Sequence, residues 1–199
     1  DRDLHAIAHA AASARSESRA RALEAKITHH AETLARRFDR VENLLITHEG
    51  LPGPLPGRKQ MKGLYPQAQL IVPAIVAGLC ASGAEVTVVF YKRRFRDWQA
   101  SLYRYRFRDH PERGYNPGRF AARTGLPQGW DDVLGRLRDA LRETEFSVVS
   151  FEKDRKNGLL GRALYRIWGL SDAEISRLRR LAPRNVSREK TRADHEFGT

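Results

Sequence analysis

The stretch VTVVFYKRRFRDWQASLY, residues 86–103, decides the fold. It begins with a short run of β-branched and apolar residues, which predicts a buried strand, and it continues through Arg93 into a segment of helical character. Ser101 follows eight residues after Arg93. Ligands of open α/β sheets bind beyond the carboxyl ends of the strands, where the next helix directs its positive end at an anion. The stretch therefore predicts an α/β protein that binds a phosphate group with Arg93 and Ser101.

The spacing of Arg93, Asp97 and Ser101 also resembles a known nucleotide-binding element. It is similar to the 3′-phosphate-binding signature of the sulfotransferases that use 3′-phosphoadenosine 5′-phosphosulfate (PAPS). The resemblance implies that Arg93 and Ser101 hold the 3′-phosphate of this co-substrate. Arg94 and Phe95 replace the family's usual Asn-Pro, as in bacterial members that carry Arg-Arg followed by Asp-Trp.

A simpler interpretation of the same three residues stays open. Arg93 could pair with an acidic neighbour at the end of the strand, and Ser101 could be an ordinary hydroxyl on a helix surface. In that case the spacing would carry no function.

The composition indicates one globular domain with a basic surface. The chain has 199 residues, of which 41% are hydrophobic, and a net charge of +12. We expect a single domain over 1–182 and a polar tail over 183–199. The charge favours polyanionic partners, such as nucleic acid, anionic lipid, a phosphorylated nucleotide or an acidic glycan.

The sequence carries few signals of location. Its single cysteine, Cys80, stands in an apolar run, and we expect it to be buried, without an internal disulfide, in a cytoplasmic protein. No apolar run approaches the roughly 20 residues of a membrane span. The chain opens at Asp1 without a signal-peptide pattern, so we expect that its true amino terminus is missing.

Apolar periodicity predicts an alternation of helices and strands. Helices are expected over 16–40, 67–81, from 95 onward, and over 130–141, 159–168 and 171–181, and buried strands over 44–47, 86–91 and 146–152. The segments 50–66 and 110–129 are rich in Gly and Pro and are predicted to be irregular loops. Strand, helix, strand is the order that builds parallel sheets, so we expect an α/β fold of three αβα layers with a small, mainly parallel sheet.

The order of elements over 41–181 resembles the sulfotransferase family in outline. Bacterial members similarly have a helix that begins with tryptophan, a strand that ends in Phe-Glu and a helix that ends in Gly-Leu. The family's amino-terminal strand, loop and helix, in which Lys precedes Gly and Ser or Thr and cradles the 5′-phosphosulfate, is not found in this sequence. Either the chain is a trimmed enzyme, which the start at Asp1 favours, or it is a non-catalytic relative.

Two residues are candidates for the catalytic base. His48 and Glu49 follow the predicted strand over 44–47, and sulfotransferases commonly carry His or Glu at the comparable strand end. A histidine of ordinary pKa, near 6.5, accepts a proton at neutral pH, whereas a glutamate needs burial to become as basic, so His48 is favoured. Alternatively, His48 caps the strand and Glu49 neutralises the basic loop that follows.

The resemblance implies a PAPS-dependent sulfotransferase. Its expected reaction transfers a sulfuryl group from PAPS to a hydroxyl of a glycan or other polar acceptor, with no metal and no specific nucleic acid. The alternative is a non-catalytic module that binds nucleic acid or another polyanion, which the net charge and the basic, aromatic segment over 103–115 favour.

Overall fold

A computed structural model describes residues 6–8, 10–11, 17–47, 50–56, 62–107, 116–156, 159 and 161–178. In these parts of the chain the protein is a mixed α/β structure, mostly helical, with one small parallel sheet. The helices are α1 (Glu17–Arg37), α2 (Ala68–Cys80), α3 (Phe95–Arg106), α4 (Pro117–Thr124), α5 (Asp131–Ala140), α6 (Phe151–Lys156), α7 (Arg162–Ile167) and α8 (Asp172–Arg177). The strands are β1 (Thr87–Lys92) and β2 (Glu145–Ser150).

The two strands pair in parallel with no offset at their ends. Thr87 lies opposite Glu145, and Lys92 lies opposite Ser150. A parallel connection requires a crossover, which here runs through α3, α4 and α5. The predicted parallel pairing of these two strands is confirmed, although β2 ends at Ser150 and the chain continues directly into α6.

The third predicted strand, over 44–47, is wrong. These residues have irregular backbone, and the side chains of Leu44 and Leu45 are 42% and 39% exposed. A short apolar run forms a strand only where a neighbouring strand accepts its backbone hydrogen bonds, and β1 pairs with β2 alone in the described structure. His48 and Glu49 were expected to follow the end of this strand, and residues 44–47 do not form one.

The segment over 110–129 contains a helix where an irregular loop was predicted. Asn116 caps α4, because its side-chain oxygen accepts the backbone N–H of Arg119 at 2.9 Å, and Pro117 takes the first helical position. Gly125 ends the helix in a left-handed conformation, with φ of 64°. Asn, Pro and Gly in these positions are boundary signals of a helix, although at high density they are typical of a loop.

The other predicted helices are present with adjusted ends. The capping box of the last helix is confirmed, since the hydroxyl of Ser171 accepts from the backbone of Glu174, whose carboxylate accepts in return from the backbone of Ser171. The described part of this helix ends at Arg177. The backbone is irregular over 50–56 and 62–66, as predicted for this loop, and its residues 57–61 lie outside the described ranges.

Helices α1 and α2 pack closely against each other. Ile27 and Ala31 on α1 and Ile71 on α2 are fully buried in one apolar cluster. Gly78 permits the close approach, because a Cβ atom there would lie 2.8 Å from the Cβ of Ala31 and in overlap with the carbonyl oxygen of Thr28. A second cluster joins α2 to the side of the sheet through α3, α4 and α5.

Cys80 is exposed at the end of α2, so its predicted burial is wrong. The helix buries one side against α1 and another against the second cluster, and Cys80 falls outside both. No described helix is both long and apolar enough to cross a membrane.

We predict that Gly78→Ala lowers the free energy of unfolding by about 1–3 kcal/mol, the usual cost of forcing an extra methyl group into a close-packed contact. Chemical denaturation followed by circular dichroism measures this change. Gly135→Ala on α5 is the matched control, because a Cβ there would meet nothing within 4 Å. The control should gain about 0.5–1 kcal/mol from helix propensity. Equal effects of the two substitutions would contradict the packing account.

Candidate functional site

The site begins where β1 and β2 end side by side. Since Lys92 lies opposite Ser150, the next residues, Arg93 and Phe151, both leave the sheet at its carboxyl end. The guanidinium carbon of Arg93 lies 5.2 Å from the centroid of the Phe151 ring, within the range of a cation–π contact. Because the two strands end at the same position in the register, their pairing determines where the Arg93 guanidinium lies.

Trp130 fixes the backbone at Arg93. Its indole Nε1 donates a hydrogen bond of 2.7 Å to the carbonyl oxygen of Arg93. The indole is only 8% exposed and packs against the rings of Phe90, Phe95 and Trp98, at centroid distances of 5.7, 5.4 and 4.9 Å. This aromatic cluster ties the start of α5 to the turn between β1 and α3.

Glu152 holds the same turn from the side of β2. Its carboxylate accepts the backbone N–H of Arg94 at 2.8 Å and the hydroxyl of Ser150 at 3.3 Å. Burial raises the pKa of Glu152, but these hydrogen bonds and the positive charge of Arg94 outweigh it and bring the pKa below the ordinary value of 4.5. The carboxylate is thus stabilised in its charged form, and it accepts hydrogen bonds from the backbone of Arg94 and the hydroxyl of Ser150.

The guanidinium of Arg93 has no carboxylate partner within the described structure. Its Nε atom is buried and makes no hydrogen bond. Asp97, four residues further on, lies instead 3.9 Å from Arg94, in an exposed ion pair. The simpler interpretation, in which Arg93 is neutralised by an acidic neighbour, is therefore not observed in these residues. A buried donor without an acceptor is costly, which makes Arg93 available to an anionic ligand.

Ser101 lies on α3 and borders the same open cavity as Arg93. The cavity has a volume of about 2020 Å³. The Ser101 hydroxyl makes no hydrogen bond to a described residue, and Asp97 does not line the cavity. Two of the three residues of the motif thus share one space, and the third does not contribute to it.

His48 and Glu49, the candidate bases, lie outside the described residues. Thr47 and Gly50, which precede and follow them in the sequence, both line the cavity. The assignment of His48 or Glu49 as the catalytic base stays a prediction from sequence.

A second polar cluster beside the site has a structural role. Asp154 is 3% exposed and accepts the backbone N–H of Gly161 at 2.6 Å, that of Ala163 at 3.0 Å and the hydroxyl of Tyr91 at 3.0 Å. Burial, followed by the hydrogen bond and the charge of Asp154, raises the pKa of Tyr91 to about 12. Tyr91 therefore remains protonated at neutral pH and links β1 to the start of α7.

Trp130, Glu152 and Asp154 were not predicted as parts of the site. The family resemblance drew attention to Trp130 and Glu152 as members of a helix and a strand end, but no spacing in the sequence reveals hydrogen bonds to the backbone of Arg93 and Arg94. Asp154 stands in a polar run, and the sequence does not indicate its role, because its partners Gly161, Ala163 and Tyr91 lie seven, nine and 63 residues away.

Comparison with known proteins identifies no relative: no family model matches the chain, and no curated protein or solved structure matches it significantly. The chemistry of the site thus has to be argued from its residues. The Arg93 guanidinium, which has no carboxylate partner among the described residues, can bind an anion, and the Ser101 hydroxyl borders the same cavity.

We predict that Glu152→Gln destabilises the protein in a pH-dependent way. The lowered pKa means that the carboxylate contributes stability at neutral pH, and that this contribution is lost as the pH falls below the ordinary value of 4.5 and through the folded-state pKa. Urea unfolding at pH 7 should show a lower midpoint for the variant, and the difference from the parent should shrink toward pH 3. Glu143→Gln, at an exposed position, is the control. A difference that persists unchanged at low pH would contradict the role of the charge.

Proposed function

We propose that the protein is a PAPS-dependent sulfotransferase that transfers a sulfuryl group to a hydroxyl of a glycan or other polar acceptor. The observation that carries the proposal is the buried Nε of Arg93, a cation at the end of β1 for which the described structure supplies no anion. The resemblance of residues 93–101 to the 3′-phosphate-binding signature gives that anion a chemical identity.

Arg93 and Ser101 would bind the 3′-phosphate. The planar guanidinium can donate two charge-assisted hydrogen bonds to phosphate oxygens, and a serine hydroxyl adds another donor without bulk. The contacts of Trp130 and Glu152 with the backbone of Arg93 and Arg94 would hold the cation in place before the ligand arrives. Such preorganisation lowers the cost of ordering a binding site.

PAPS supplies the sulfuryl group, and the chain would supply binding and a base. Sulfuryl transfer parallels phosphoryl transfer, in which positioning and electrostatic stabilisation dominate. His48, or alternatively Glu49, would accept the proton of the acceptor hydroxyl. The three αβα layers that the family resemblance implies belong to this proposal too.

We predict that Arg93→Ala weakens binding of 3′,5′-adenosine bisphosphate by about 1.5–3 kcal/mol, the range for a hydrogen bond to a charged group. Isothermal titration calorimetry measures the loss. Arg96→Ala removes the same charge from an exposed position of α3 that does not line the cavity, so it should have a much smaller effect.

Unchanged affinity in Arg93→Ala would defeat the assignment of the 3′-phosphate site. Equal losses in the two variants would indicate diffuse electrostatic attraction, as expected of the alternative polyanion-binding module, which the net charge of +12 favours.

We predict that His48→Ala lowers the turnover of sulfuryl transfer by about 10²- to 10⁴-fold, the usual contribution of a general base, while the affinity for 3′,5′-adenosine bisphosphate stays unchanged. Transfer of radiolabelled sulfuryl from PAPS to a mixture of oligosaccharides measures turnover. Glu49→Gln is tested in parallel, and a larger loss in that variant would move the role to Glu49. Full activity of both variants would remove the pair from the mechanism.

A further inference from the structure

The loop 50–56 forms one wall of the cavity that contains the candidate site. Its residues 50–55 line the cavity without a gap, and Arg93 and Ser101 line the same cavity. The end of the loop is packed into the protein, since the side chain of Pro56 is fully buried. Ligand-binding residues often lie on loops that a rigid scaffold positions. The position of this loop therefore sets the shape of the cavity on one side.

Arg106 anchors the loop to α3. Its Nη2 atom donates hydrogen bonds of 2.9 Å to the carbonyl oxygen of Leu55 and of 3.1 Å to that of Pro56. Hydrogen bonds from a charged donor are stronger than those between neutral groups. The same helix carries Ser101 about 7.5 Å nearer its amino end, at the rise of an α-helix. One helix thus holds both a candidate phosphate ligand and the wall formed by the loop.

The loop is stiff along its length. Three of its seven residues are prolines, whose φ is fixed by the ring. The backbone N–H of Gly53 donates to the carbonyl oxygen of Gly50 at 3.0 Å, which closes a tight turn, and Gly53 has a φ of 118°, which glycine adopts without strain. Because a stiff segment follows its anchor, the contacts of Arg106 fix the residues of the wall as well as those that it touches.

The chemistry of the loop suits an acceptor better than the phosphates of a nucleotide. Its sequence, GLPGPLP, contains no side chain with a polar atom, and its prolines lack a backbone N–H. The N–H of Gly53 is already used in the turn. Phosphate groups are bound by several hydrogen-bond donors, which Arg93 and Ser101 offer and this wall does not. The wall therefore contacts the less polar surfaces of a ligand.

We propose that Arg106 is a positioning residue for the acceptor: by holding the loop 50–56 against α3, it fixes the wall against which the acceptor lies during transfer. The proposal rests on the sulfotransferase function proposed above. Arg106 acts through the loop, because it does not itself line the cavity. Such an indirect role has large effects, since a misplacement of a reactant by about 1 Å can lower a rate by about 10²-fold.

The experiment compares the 199-residue chain with its Arg106→Met variant. Methionine keeps an unbranched apolar stem but cannot donate to the two carbonyl groups. Transfer of radiolabelled sulfuryl from PAPS is measured over a range of concentrations of one oligosaccharide mixture. We expect kcat/KM for the mixture to fall by about tenfold or more, mainly through a higher KM, because the wall that positions the acceptor is displaced. The affinity for 3′,5′-adenosine bisphosphate, measured by isothermal titration calorimetry, should stay unchanged.

Two further variants and the form of the kinetics separate positioning from stability. Arg96→Met removes the same charge from an exposed position of α3 away from the cavity and should change neither quantity. Arg106→Lys keeps the charge but replaces the planar fork by a single ammonium group, so we expect an intermediate KM. A variant that only folds less completely loses active protein, which lowers kcat and the number of nucleotide sites but leaves KM unchanged. Thermal unfolding verifies the fold of each variant.

An active parent chain whose acceptor KM is unchanged in Arg106→Met would overturn this proposal and leave the proposed function intact. Where Arg106→Met does not fold, an unchanged KM in Arg106→Lys would have the same meaning. Equal losses in acceptor KM and in nucleotide affinity would also overturn it, because they would indicate a general disturbance of α3. Absence of transfer by the parent chain would overturn the proposed function, and this proposal with it.

Discussion

The parallel register of β1 and β2 is the constraint on which the candidate site depends. Because Lys92 and Ser150 are paired, the chain leaves both strands at one level, and this places Arg93 over the ring of Phe151 and brings Glu152 to the backbone of Arg94. A displacement of two residues along either strand would keep the side-chain faces but separate these partners by about 7 Å. The position of the Arg93 guanidinium is thus determined by the pairing of the two strands.

The polar groups near the carboxyl ends of the strands differ in whether they have hydrogen-bond partners. The carboxylates of Glu152 and Asp154 are occupied by backbone N–H groups and hydroxyls, and so they organise the turns around the site. The Nε of Arg93 has no such occupation, nor does the hydroxyl of Ser101 among the described residues. Neither carboxylate forms an ion pair with Arg93 among the described residues, and this leaves the guanidinium available to an external anion.

Local sequence patterns predicted the parts of the fold that local interactions decide. The strand over 86–91, the helices over 68–80 and 131–140 and the capping box of Ser171 all follow from periodicity and from side chains that satisfy nearby backbone groups. The apolar run over 44–47 failed because strand formation needs a partner that the run itself does not encode. The predicted burial of Cys80 was wrong for a related reason, since burial depends on which side of α2 contacts its neighbours. Of the site, the sequence supplied Arg93 and Ser101, whereas the indole of Trp130 reaches Arg93 across 37 positions of the chain, a separation at which spacing carries no information.

The exposure of Cys80 has a practical chemical meaning. It is the single cysteine of the sequence and its thiol is open to solvent at the end of α2, next to Leu79, which lines the large cavity. A thiol-reactive dye would therefore attach at one known position, close enough to sense changes of polarity when that space is occupied. With a single cysteine, a disulfide can form only with a thiol of another molecule. Oxidation during storage would therefore give a disulfide-linked dimer, which a reductant separates into monomers.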